Sequence, residues 1–144
     1  MKLAILASAL VIGSHSIGQN INAKVIEYLG ADKANELFSN NTGKYVHLLE
    51  FIDNSWYVQD VSFKDLSGLK DFRTVNFKGT GANLFDDGTN FYIENFNPLL
   101  YEINIQAKYP TTYKLGETGK IIVFYSREYF IEKTKETKWW ETHL

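Results

Sequence analysis

The chain has 144 residues, 44% of them hydrophobic and 22% charged, with ten Gly, two Pro and no Cys. Those numbers fit one ordinary globular domain and exclude a multidomain machine, a disordered chain or a collagen-like repeat. A net charge of −2 offers no general pull toward nucleic acid, and without Cys there is no disulfide, thiolate zinc site, thiol nucleophile or lipid-anchor cysteine.

Met1-Lys2 precedes an uncharged apolar run of eleven residues, Leu3 to Gly13, followed by Ser14-His15-Ser16-Ile17-Gly18. A positive start, a short apolar run and small residues at −3 and −1 of a cut are the layout of a secretory signal peptide. Ser16 and Gly18 fill those two positions. Residues 1–18 are therefore expected to be removed, leaving 19–144 as a single domain that starts at Gln19. The apolar run is too short to span a bilayer permanently, which takes roughly 20 residues. A buried first strand or helix of a cytosolic domain is the alternative, and the lack of any acid before Glu27 favours the signal peptide. The mature chain is expected in the periplasm or outside the cell, with no membrane span.

Residues 22–54 have helical spacing. Val25, Ile26 and Leu29 share one side behind Asn22 as N-cap, and Gly30 suits a helix end. Asp32 then caps a second piece with Ala34, Leu37 and Phe38 on one side, or a single helix kinks at Gly30. Asn40 to Gly43 is a break. Tyr45, Leu48, Leu49 and Ile52 follow at i, i+3, i+4 and i+7, with His47, Glu50 and Asn54 opposite.

From Trp56 the period shifts toward two. Trp56 to Phe63 is rich in aromatic and β-branched residues and is expected as a strand. Lys64 to Asp71 connects it to an alternating stretch containing Arg73, Val75 and Phe77. Gly79 to Asn90 is loop-like, and Phe91 to Phe96 is expected as a further strand. Leu99, Tyr101, Ile103, Ile105 and Ala107 alternate with Leu100, Glu102, Asn104 and Gln106, the mark of a sheet with one face in water. Thr112–Leu115 and Lys120–Ser126 flank Gly116-Glu117-Thr118-Gly119, a hairpin loop. Ile121 to Tyr125 is apolar on both faces and belongs at the centre of the sheet. Residues 127–138 form a short helix or an edge strand. Helices first and strands after give an α+β fold, with N-terminal helices packed on one face of a mostly antiparallel sheet.

No catalytic motif stands out. Only His47 lies inside the fold, three residues from Glu50, and a solvated helix face explains the pair better than a metal does. Asp86-Asp87-Gly88-Thr89-Asn90 clusters oxygen ligands without the alternation or the twelfth-position glutamate of an EF-hand, so turn chemistry is the simpler explanation. Gly79-Thr80-Gly81 lacks the third glycine and helix of a phosphate loop, and Ser126 lacks the G-x-S-x-G elbow. No metal or cofactor is expected. Aromatics make up 15% of the chain. Their rings can stack on sugars or bases, and a negative chain with two Arg favours sugars. Trp56 and Tyr57 point to opposite faces of a strand, so one of them can be exposed. Trp139-Trp140, behind a charged run, either fold back or meet a partner.

The export segment ending at Gln19, the Leu29-Gly30 break, Phe96-Asn97-Pro98-Leu99-Leu100-Tyr101 followed by Tyr113, and the strand Gly119 to Ser126 resemble small exported proteins of Bacteroidota. The resemblance implies export and carries no activity with it. The expectation is a non-enzymatic binding or accessory domain of the periplasm or cell envelope. Trp56, Tyr57, Trp139 and Trp140 are its candidate binding residues, and an envelope protein or a glycan is its partner. The alternative is a small glycan hydrolase using carboxylates such as Asp86, Asp87, Glu94 or Glu102.

Overall fold

The computed structural model describes residues 21–61, 68 and 72–135. The signal peptide expected over 1–18 lies outside the described residues, as do Trp139 and Trp140. Three helices come first, α1 (Ala23–Leu29), α2 (Ala31–Asn40) and α3 (Thr42–Asn54). Strands β1 (Trp56–Asp60), β2 (Asn76–Phe77), β3 (Tyr101–Glu102), β4 (Thr111–Lys114) and β5 (Lys120–Phe124) follow, and then helix α4 (Arg127–Lys133). All the strand pairs are antiparallel, so the class is α+β, as expected. The described residues fall into two compact units, divided between Leu49 and Glu50.

In the first unit the Asn22 side chain caps α1 by accepting from Lys24 N–H at 2.8 Å. Its own N–H donates to the Tyr45 hydroxyl at 2.8 Å, tying the start of α1 to α3. Gly30 ends one helix and begins the next. Its N–H donates to Ile26 O and its carbonyl accepts from Ala34 N–H, at φ 82° and ψ 159°. Essentially only glycine adopts that conformation, so the chain makes two helices there and not one kinked helix. Gly30 rather than Asp32 occupies the cap, and Asp32 sits in the first turn of α2. The expected break at Asn40–Gly43 shrinks to Asn41, whose side chain accepts from Lys44 N–H at 3.1 Å and starts α3 at once. Val25, Ala34, Tyr45 and Leu48 are buried, and Phe38 meets Tyr45 edge-on.

The second unit begins in the last turn of α3. Its sheet runs β1-β5-β4, which puts the doubly apolar β5 at the centre as its sequence requires. Trp56 lies opposite Phe124 and Asp60 opposite Lys120, while Thr111 and Lys114 pair with Phe124 and Ile121. Strands β2 and β3 form a separate pair. Ile122 and Phe124 point into a core of Phe85, Phe96, Tyr101, Tyr113 and Leu115. Val123, on the other face of β5, is also buried. The hairpin expected at Gly116–Gly119 is present, with both glycines at positive φ and Leu115 N–H bonded to Lys120 O.

Two expectations are corrected. Phe91–Phe96 is not a strand, because Ile93–Asn95 turns as a 3-10 helix and Pro98–Leu100 follows as another. The proline lacks the N–H that a continuing strand would use. Ile103 to Ala107 keeps its alternating burial but does not join the ladder beyond Glu102. Periodicity reports which side of the chain meets the core, and it does not report whether a neighbouring strand is there to pair. In that stretch Asn104 N–H donates to the Tyr113 hydroxyl and Asn104 O accepts from Thr111 Oγ1. Strand β1 ends at Asp60, with Val61 N–H still bonded to Gly119 O, and Ser62 and Phe63 of the expected strand lie outside the described residues.

Candidate functional site

Trp56 and Tyr57 do face opposite sides of β1. Trp56 shares the core face with its register partner Phe124 and packs edge-on against Phe96 at 4.7 Å between centroids. Its indole N–H donates to Ile52 O at 2.7 Å. Both the ring and the N–H are thus engaged inside the domain. Tyr57 lies on the other face with Tyr125, 5.3 Å away, and Tyr125 in turn lies 4.7 Å from Tyr129. Tyr57 is 39% and Tyr129 50% exposed, and Lys133 Nζ sits 4.9 Å from the Tyr125 centroid. The central ring of this stack, Tyr125, is flanked by the two tyrosines and the Lys133 ammonium.

The Asp86–Asn90 cluster is a turn. Asp86 accepts from Gly88 N–H at 2.8 Å. Asp87 Oδ1 accepts from Thr89 N–H at 2.8 Å and Asn90 N–H at 2.7 Å, and its Oδ2 accepts from the Tyr92 hydroxyl at 3.0 Å. The Asn90 amide, then the Thr89 amide, hold the Asp87 carboxyl below its ordinary pKa, and the bond to Asp87 pushes the Tyr92 phenol up. Glu102 accepts from the Asn76 side-chain amide at 2.7 Å, and Glu94 is exposed. His47 is half-buried on α3. Ser126 caps α4 by accepting from Tyr129 N–H. Among the described residues no group of three or more His, Asp or Glu could hold a metal ion, and no helix is long and apolar enough to cross a membrane.

A cleft of about 730 Å³ opens elsewhere in the second unit. Thr74, Val75 and Phe77 line one side, and Tyr101 lies in the floor. Asn83, Phe85, Asp86, Gly88, Thr89 and Phe91 come from the following loop, and Lys114, Gly116, Glu117 and Thr118 from the hairpin. Long-range bonds bring these segments together. Lys114 N–H donates to Arg73 O at 2.9 Å, in a short parallel bridge between Thr74 and Lys114. Tyr92 N–H donates to Phe85 O and folds the loop on itself. The Asn83 side-chain oxygen accepts from Phe85 N–H, Asp86 N–H and the Tyr101 hydroxyl, fastening the loop to β3.

The floor is aromatic and the rim is polar. Phe77, Tyr101, Phe85 and Phe91 follow one another at centroid spacings of 5.4, 5.8 and 5.3 Å. Tyr101 and Phe85 are buried, while Phe77 and Phe91 at the two ends are half-buried. Among the described residues the Lys114 ammonium and the Glu117 carboxylate have no hydrogen-bond or ion-pair partner, and Asp86 keeps one oxygen clear of its turn.

Among the described residues expected to matter, Asp86 lines this cleft with Gly88 and Thr89 of the same turn, while Trp56, Tyr57, Asp87, Glu94 and Glu102 do not. Phe77, Phe91, Lys114 and Glu117 were not singled out, since the contacts that gather them are 40 residues apart along the chain, between Thr74 and Lys114. Gly79, two residues after Phe77, is a local hint, whereas Gly116 meets Phe91 only in the fold. No protein-family model, curated protein or solved structure matches the chain.

Proposed function

We propose that this chain is an exported, non-enzymatic binding domain of the periplasm or cell envelope, with the cleft as its ligand site. One observation carries the reading: an aromatic floor in a cavity of about 730 Å³ is rimmed by Lys114, Glu117 and Asp86, whose polar atoms are available to a ligand. Small-molecule sites combine that kind of apolar lining with a few orienting polar groups, in volumes of roughly 300–1,000 Å³. Such a site needs no catalytic residue. Export is supported by the layout of Met1 to Gln19.

A second reading has one observation in its favour. Asp86 and Glu117 line the same cleft, and a glycan hydrolase works with two carboxylates across its substrate. Asp87 and Glu102 are engaged in hydrogen bonds within the domain. Glu117 is exposed on a turn, whereas a glycosidase's general acid is kept protonated by an apolar site. Binding is therefore the better account.

The test is amide hydrogen exchange on the full chain in the presence of a library of sugars, amino acids and nucleotides. A ligand that slows exchange at 85–91 and 114–118 and is recovered unchanged supports the binding domain. Protection confined to other segments overturns the cleft as the site. Cleavage of the ligand, lost in Asp86→Asn or Glu117→Gln, would establish the hydrolase instead.

A further inference from the structure

The two half-buried rings of the cleft are each seated on a glycine. A Cβ built on Gly79 would lie 2.5 Å from Cζ of Phe77, and one on Gly116 would lie 3.2 Å from Cε2 of Phe91. Any side chain at Gly79 would push the Phe77 ring away, and at Gly116 the neighbouring ring would have to give and the backbone, at φ 51°, would be strained. The glycines let both phenyl rings lie close against the backbone. Behind them the buried Tyr101 and Phe85 complete the row, so the rings are positioned before any ligand arrives. Preorganised surfaces of this kind lose little entropy on binding.

The rim narrows the chemistry. One ammonium, Lys114, stands with two carboxylates, Asp86 and Glu117, so the cleft carries an excess of negative charge. That balance opposes a phosphate or any other anionic group. It also supplies both a donor and acceptors. A ligand that suits it has an apolar face for the phenyl rings and an edge of hydroxyls, each able to donate and to accept. Thr74 and Thr89 add hydroxyls of the protein's own.

We propose that the cleft binds an uncharged sugar, a pyranose or a short oligosaccharide. Its C–H faces lie on Phe77 and Phe91, and its hydroxyls bond to Lys114, Asp86 and Glu117. This rests on the cleft being the ligand site.

The full chain is titrated with uncharged glycans, and separately with free amino acids and nucleoside phosphates. Binding of an uncharged glycan is expected, with affinity lowered about tenfold in Lys114→Met and in Glu117→Gln, the effect of removing one hydrogen bond to a charged group. Neither side chain belongs to the core, so both variants should melt with the parent. Raising the salt concentration should leave the glycan affinity unchanged, because an uncharged ligand has no charge to screen. Tight binding of an amino acid or a nucleotide instead, weakened by the same variants, overturns the sugar and leaves the cleft in place. Glycan binding indifferent to both variants puts the sugar elsewhere and overturns the inference. If no compound binds in a way that the variants alter, the cleft itself fails as a site.

Discussion

Both carboxylate oxygens of Asp87 are taken up inside its own turn, by two backbone amides and the Tyr92 hydroxyl. Those bonds favour the anion, so the folded pKa lies below the unfolded one of 3.8. A depressed carboxyl stabilises the fold fully above its unfolded pKa, and the contribution disappears as pH falls through the lower folded value. The turn should therefore hold at pH 5 and above, start to weaken as pH drops below about 4, and be loosened at lower pH still. The protection of the Thr89 and Asn90 amides, their exchange measured by NMR against the intrinsic rate from pH 6 downward, should fall over that window. Asp87→Asn should remove the acid-induced step, because its amide oxygen accepts without titrating. An unchanged step in that variant would assign the loosening to another group. On the alkaline side Tyr92 has the opposite sign: its raised pKa means the bond to Asp87 is intact below the phenol's ordinary value and is lost as pH climbs through the raised one.

At the scale of elements, α4 shows how a short helix is held in place. Its seven residues are too few for a stable isolated helix. Each of its first amides nevertheless has an acceptor. Arg127 N–H donates to Gln106 O, Glu128 N–H to Ala107 O, Tyr129 N–H to Ser126 Oγ, and Phe130 N–H to Ser126 O. The non-strand stretch after β3 thus gives its carbonyls to a helix end, which explains why alternation alone misplaced it in a ladder. Phe130 is buried and meets Phe51 edge-on at 6.4 Å. Ser126→Ala should lower unfolding stability by about 1 kcal/mol, the usual worth of an N-cap, and Ser126→Asp should retain most of it. Urea denaturation checks both, and equal losses would mean that the hydroxyl matters through burial and not through capping. The hairpin and the central place of β5 were legible because they depend on neighbours in sequence: two glycines at a turn, and apolar residues on both faces. That Trp56 and Tyr57 part was also legible from strand parity. Which of them meets Phe96 depends on the whole core, and the cleft depends on the Thr74–Lys114 bridge, which no local pattern announces.

For the whole molecule, every residue lining the cleft belongs to the unit that begins at Glu50, so the proposed ligand chemistry is independent of how the N-terminal segment is processed. Where the protein works is another matter, and there the first residues decide. The proposed export rests on Lys2, the apolar run to Gly13, and the small residues Ser16 and Gly18 ahead of Gln19. Removal would take away Lys2 and no acid, moving the net charge from −2 to −3 and leaving the weakly anionic surface that suits an uncharged ligand better than a polyanion. Intact-mass spectrometry of protein released from the native cell envelope should therefore find an N-terminus at Gln19. Extracellular or periplasmic glycans would then be the ligands within reach of the cleft. A cytosolic protein retaining Met1 would instead make Leu3 to Gly13 part of the folded domain. It would withdraw the envelope from the proposal and leave the cleft to be tested against soluble cytosolic sugars.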